Sequence, residues 1–162
     1  MQITRKKIIF VDDNVENLSV GKNILKPYYE VYPVPSATRL FNVLEKFIPD
    51  LILLDVNMPE MNGYETIQIL KADERYAEIP VIFLTAKKDE ESELRGFDLG
   101  AAEYITKPFS GPLLLRRIAN QLLIEHQRRD LLESRTALKY YEDKFGKIMR
   151  ESIPEKLSAL NE

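Results

Sequence analysis

The chain has no cysteine and only one histidine, His126, among 162 residues. Disulfides and thiolate metal sites are therefore excluded, which fits a reducing compartment, and a cytoplasmic location is expected. Long apolar runs are also missing. The start, MQITRKKIIFVDD, is basic, but its apolar stretch from Ile8 to Val11 ends at two aspartates. That is far too short for a signal-peptide core or a membrane span, so no membrane partner is expected. No internal repeat or low-complexity segment breaks the chain. Clustered basic charge is absent as well: residues 1–110 carry a balance of −5 and residues 111–162 one of +2. An acidic body with a mildly basic tail leaves no nucleic-acid footprint, so direct nucleic-acid binding is not expected.

What is present is enough apolar material, 44% of residues, for a continuous core. Domains of roughly 100–200 residues are usual, so the length suggests one domain and an extension. Short apolar runs alternate with longer amphipathic stretches over the first 122 residues. Strands are expected at 7–11, 29–34, 51–55, 81–84 and 103–105. Three of them (IIFV, LILL, VIFL) are nearly unbroken apolar runs, as in parallel strands covered by helices on both faces. Helices are expected at 15–26, 37–47, 63–73, 90–99 and 111–125. Ser36 and Asp89 are candidate N-caps, and Gly100 a left-handed helix end. Five βα units in succession predict a doubly wound α/β fold.

From about Leu113 the pattern stays helical, with no glycine or proline until Gly146. Ile124, Leu131, Leu138 and Phe145 repeat every seven residues, while the positions three further on are Gln127, Ser134, Tyr141 and Ile148. The second seam is half polar, so the pattern predicts at most a weak homodimer through this helix. Pro154 is expected to stop the helix.

In an open α/β sheet, ligands bind beyond the carboxyl ends of the strands. Strand one ends in Asp12-Asp13, strand three in Asp55 and strand four in Thr85, and strand five leads into Lys107. Each has a plain structural alternative. Asp12, Asp13 and Asn14 could cap a helix, Asp55 and Asn57 could shape a turn, Thr85 could cap the fourth helix, and Lys107 could be solvated. Together they are harder to dismiss, since three carboxylates at one edge repel unless a cation sits among them. An all-oxygen set suits a hard ion such as magnesium.

Asp12-Asp13, then LILLDVNMPEMNGYE, then FLTA, then YITKPF follow one another in the order seen in the receiver domains of bacterial response regulators. The chain resembles that family over about residues 5–122. The resemblance implies a flavodoxin-like, doubly wound five-stranded parallel sheet, here with an extended C-terminal helix. It implies Asp55 as phosphoacceptor, taking a phosphoryl group from a histidine kinase or phosphotransfer protein. It further implies Mg2+ held by Asp12, Asp13, Asp55 and the backbone carbonyl of Asn57. Lys107 would meet another phosphoryl oxygen, Thr85 would be the switch hydroxyl, and Tyr104 the aromatic that swings inward behind it. Asn57 and Lys87 occupy the two positions that set the lifetime of the phosphoryl group.

The chain is thus expected to be a signalling module that assists its own phosphorylation, not an enzyme with an external substrate. A haloacid-dehalogenase-type phosphatase would need D-x-D on strand one, where this chain has D-D-N. A receiver-like scaffold that no longer takes phosphate would not need the complete acidic set. His126 lacks the proline-containing sequence that follows the donor in histidine kinases and is expected on a helix surface. The expected organisation is a receiver at 1–122, a helical extension or coiled-coil linker at 123–150, and at 151–162 a tail or the start of an output domain.

Overall fold

The computed structural model describes residues 4–86 and 89–158, with side chains described through Glu151. Five strands run through the first part: β1 (Lys7–Val11), β2 (Glu30–Val34), β3 (Leu51–Asp55), β4 (Val81–Thr85) and β5 (Glu103–Thr106). Between and after them come α1 (Val15–Leu25), α2 (Ala37–Leu44), α3 (Gly63–Ala72), α4 (Glu90–Asp98) and α5 (Gly111–Ser158). All strand pairs are parallel, in the order β2-β1-β3-β4-β5. This is the doubly wound arrangement expected from the alternation of elements, in the flavodoxin-like strand order that the resemblance implies.

Alternation of side chains along each strand divides the core in two. Ile9, Val11, Ile52, Leu54, Val81 and Phe83 pack with Leu40, Leu44, Ile67 and Leu70 from α2 and α3. Their neighbours Ile8, Phe10, Leu51, Leu53, Ile82 and Leu84 pack with Leu18 and Leu25 of α1 and Leu114 and Ile118 of α5. Every residue of β3 and β4 is buried, which accounts for the unbroken apolar runs.

Polar side chains fix the helix starts. Asn14 accepts from the Glu16 and Asn17 amides, Ser36 from Arg39, and Asp89 from Ser92, while Asn62 and Glu65 form a capping box. Gly100 closes α4 at φ 102°, where a side chain would be strained. Gly63 allows a close approach: a Cβ there would lie 2.5 Å from the Asp55 carbonyl oxygen and 2.8 Å from the Val56 Cα. Its amide donates to the Val56 carbonyl at 2.8 Å.

Two local expectations need correction. Helix α2 ends at Leu44 rather than 47, because the chain tightens there and the Lys46 amide turns to the Val43 carbonyl. Pro154 does not stop α5, which continues to Ser158. Proline removes one N–H and crowds the preceding turn, and the helix absorbs that loss without ending.

Along the outer strand β2, the Glu30 amide donates to Lys6 and the Val34 carbonyl accepts from Asp12, so these residues address β1. Alternation then turns the backbone of Val31 and Pro33 away from β1. The chain divides into two compact units, residues 1–122 and 123–162. In the second, Glu125 pairs with Arg128 and His126 lies 3.4 Å from Asp130. His126 is well exposed, the placement expected for a helix-surface histidine.

Candidate functional site

The strands end in step. Val11 is level with Leu54, Asp55 with Leu84, and Thr85 with Thr106, so the residues leading out of β1, β3, β4 and β5 meet at one edge. Asp12 is fully buried and Asp55 is 4% exposed, while Asp13 faces solvent. One carboxylate oxygen from each can be chosen so that all lie within 4.8 Å of one another.

Lys107 reaches into this cluster from just beyond β5. Its Nζ lies 2.5 Å from Asp12 Oδ2 and 3.2 Å from Asp55 Oδ1. Alternation along the strands places Asp12, Asp55 and Lys107 on one side, with the α1 and α5 packing, which is why the ammonium meets both carboxylates. The Asn14 amide donates to Asp12 Oδ1 at 2.9 Å, and Asn17 Nδ2 donates to Oδ2 at 3.1 Å. The Asn57 amide points toward Asp55 Oδ1 at 3.4 Å.

Burial pushes the Asp55 carboxyl up to about 6. Lys107 pulls the other way, and the Asp12 charge adds to the rise. One ammonium thus leaves the cluster short of positive charge. The donor set is all oxygen, with no histidine or cysteine beside it, and that fits a hard divalent cation held by Asp12, Asp13 and Asp55.

Thr85 and Tyr104 lie toward the opposite side of the sheet. Thr85 is fully buried and Tyr104 is 6% exposed, with its ring edge-on to Phe83 at 6.3 Å. The Tyr104 hydroxyl is buried and makes no hydrogen bond of good geometry. Its pKa is pushed up to about 12, chiefly by burial, with the Thr85 hydroxyl lowering it and Tyr64 raising it. All the site residues read from the sequence except Lys87 are therefore placed: Asp12, Asp13, Asp55, Asn57 and Lys107 around one cleft, Thr85 and Tyr104 across the sheet. Lys87 lies outside the described residues. Reading along the chain missed Asn17, which holds Asp12, and Tyr64, whose hydroxyl donates to the Ser92 carbonyl at 3.3 Å. A local motif marks neither contact. Beside Lys107 a cleft of about 340 Å³ opens between Asn17, Val20, Ala86, Pro108 and Phe109.

The family model described as the response regulator receiver domain matches residues 8–119. A probable cyclic di-GMP phosphodiesterase of Vibrio cholerae is 40% identical over 125 residues, covering 77% of this chain and 28% of that protein. The phosphate regulon transcriptional regulatory protein PhoB of Pseudomonas aeruginosa is 38% identical over 116 residues, covering 70% of this chain and 50% of that one. The chain thus spans half or less of these relatives. The crystal structure of the Vibrio cholerae chemotaxis protein CheY4 superposes with a TM-score of 0.69 at 27% identity, covering 72% of this chain and 98% of that one.

Proposed function

Because the chain belongs to the response regulator receiver domain family, in which phosphorylation of an aspartate is the general mechanism, we propose that Asp55 is its phosphoacceptor. A carboxylate oxygen of Asp55 attacks the phosphorus of a phosphohistidine on a histidine kinase or phosphotransfer protein. The P–N bond breaks, its electron pair stays on the imidazole, and an acyl phosphate forms. The observation that carries this reading is Asp55 itself, at the end of the central strand with Lys107 at 3.2 Å and Asp12 and Asp13 beside it.

Phosphoryl transfer depends mainly on positioning and charge neutralisation. Mg2+, held by Asp12, Asp13, Asp55 and the Asn57 carbonyl, would supply much of the neutralisation when bound. Lys107 releases Asp55 to the incoming group and contacts a phosphoryl oxygen, while its link to Asp12 keeps it in place. Thr85 turns its hydroxyl to the phosphoryl group, and Tyr104 reports the change to the β5 and α4 surface.

Receiver domains are signalling modules rather than enzymes, and among the described residues no helix is long and apolar enough to cross a membrane. We place the protein in the cytoplasm and its receiver at residues 1–122. Output passes through the extension at 123–150, whose helix continues to Ser158. Ile124, Leu131, Leu138 and Phe145 are 50–64% exposed along one seam, and a second copy of the chain is the partner that fits them. In a parallel pair, Asp130 meets Arg135 of the other copy, while Gln127 and Ser134 keep the pairing weak.

Acetyl phosphate with magnesium tests the central claim. The wild type should take up one phosphoryl group per chain and Asp55→Asn none. Labelling that survives Asp55→Asn refutes the assignment.

A further inference from the structure

Helix α4 is the element a receiver would move, and it is held lightly. Of its nine residues only Gly96 is buried, while Leu94 and Phe97 are 55% and 40% exposed. Burial of apolar side chains therefore contributes little to keeping it in place. Gly96 rests on Phe83 and Tyr104, and two further contacts of α4 meet on one side chain from another helix.

That side chain is Tyr64, the second residue of α3. Its hydroxyl donates to the Ser92 carbonyl at 3.3 Å, and the Arg95 guanidinium lies 4.4 Å from the centre of its ring. The ring also meets Phe83 edge-on at 5.5 Å and 73°. Phe83 in turn contacts Tyr104. One turn along α4 from Ser92, Gly96 lies against the same rings: a Cβ there would be 3.1 Å from Phe83 and 3.3 Å from Tyr104.

The other end of this connection is the phosphoacceptor. Gly63, the residue before Tyr64, lies against the Asp55 carbonyl and bonds to the Val56 carbonyl. A displacement of the Asp55–Asn57 backbone is therefore passed to Tyr64 by direct contact, with no side-chain rotation needed between them.

We infer that Tyr64 is a positioning residue of the switch: it latches α4 to the acceptor strand by a path that does not pass through Thr85 or Tyr104. The element being biased is α4, weakly anchored and so able to occupy two arrangements. The latch is a property of the fold itself, while its use in signalling rests on the receiver reading of Asp55.

Hydrogen exchange of the full chain without metal tests the latch alone. Tyr64→Leu keeps an apolar side chain but loses the bond to Ser92 and the ring beneath Arg95. Exchange at Glu93–Asp98 should accelerate roughly ten-fold or more, given what a hydrogen bond and a cation–π contact each contribute. The slowest amides of β1 and β3, which open only on global unfolding, should shift far less. Tyr64→Phe, which keeps the ring, should fall between. Unchanged exchange in α4, or equal acceleration across the whole domain, overturns the latch.

Beryllofluoride with magnesium tests its use. In Thr85→Ala, chemical-shift changes at α4 should persist in weakened form, and adding Tyr64→Leu should remove them. If Thr85→Ala alone removes them, the separate path does not exist. A failure of beryllofluoride to bind the wild type would instead count against the receiver reading, and the exchange result would still decide the latch.

Discussion

Asp55→Asn, made in the metal-free protein, should stabilise the fold at neutral pH. The folded carboxyl titrates near 6 against an ordinary value of 3.8, so the native state holds this proton more tightly than the unfolded chain does. The associated stability is complete below about 3.8 and is lost as pH rises through about 6. Above that, the ionised carboxylate is a net burden on the native state. A rise from 3.8 to about 6, at about 1.4 kcal/mol per pH unit, sets a ceiling of about 3 kcal/mol. The cleft opens to water at Asp13, and asparagine still offers Lys107 an oxygen, so about 1–2 kcal/mol is the expected gain. For a domain of this size that raises the melting midpoint by roughly 4–8 °C. Thermal or urea unfolding with a chelator present, at pH 7.5 and at pH 4, is the assay. The difference between variant and wild type should shrink to a small residue at pH 4, where the folded carboxyl is already protonated. Magnesium at 100 times its dissociation constant should add about 2.7 kcal/mol to whichever protein binds it, which reverses the order in favour of the wild type. A variant no more stable than wild type at pH 7.5, or one whose advantage does not change with pH, would refute the reasoning.

Gly63→Ala should cost about 3 kcal/mol or more, because its Cβ meets backbone rather than a yielding side chain, 2.5 Å from the Asp55 oxygen; a denaturation midpoint equal to wild type would contradict that packing. In sedimentation equilibrium, the wild type should show concentration-dependent dimerisation that Leu131→Asp with Leu138→Asp abolishes, since burying each leucine is worth about 1.5–3 kcal/mol. A wild type that stays monomeric at every concentration rules out pairing through the extension.

How much of this could be read along the chain depended on whether a residue's role is set by its own strand. Asp12, Asp13, Asp55 and Lys107 were legible because each stands at or just beyond the end of an apolar run, and a parallel sheet brings those ends together. The helix caps at Ser36 and Asp89 were legible because capping is local. Tyr64 was not, since its contact joins segments whose relation only the fold decides: Tyr64 and Ser92 are 28 residues apart. Asn17 stands only five residues from Asp12, but its bond depends on how the chain turns from β1 into α1, which no motif states. The same distinction explains the end of α5. The rule that proline halts a helix concerns one turn, and in α5 the turns on both sides of Pro154 carry the helix onward. The expected charge of Asp55 needed the structure as well, because it depends on burial and on Asp12 and Lys107, which only the fold brings beside it.

The placement of Pro33 bears on how this protein behaves at high concentration. An outermost strand is an invitation to pairing by a foreign chain, because its free amides and carbonyls template a further strand. On β2 the outward positions are Val31 and Pro33, and proline has no N–H to give. An intruding strand would find one donor, at Val31, where a continuous ladder needs several. The β2 border of the sheet is therefore a poor template for strand addition, because one residue removes half of the donors it could offer.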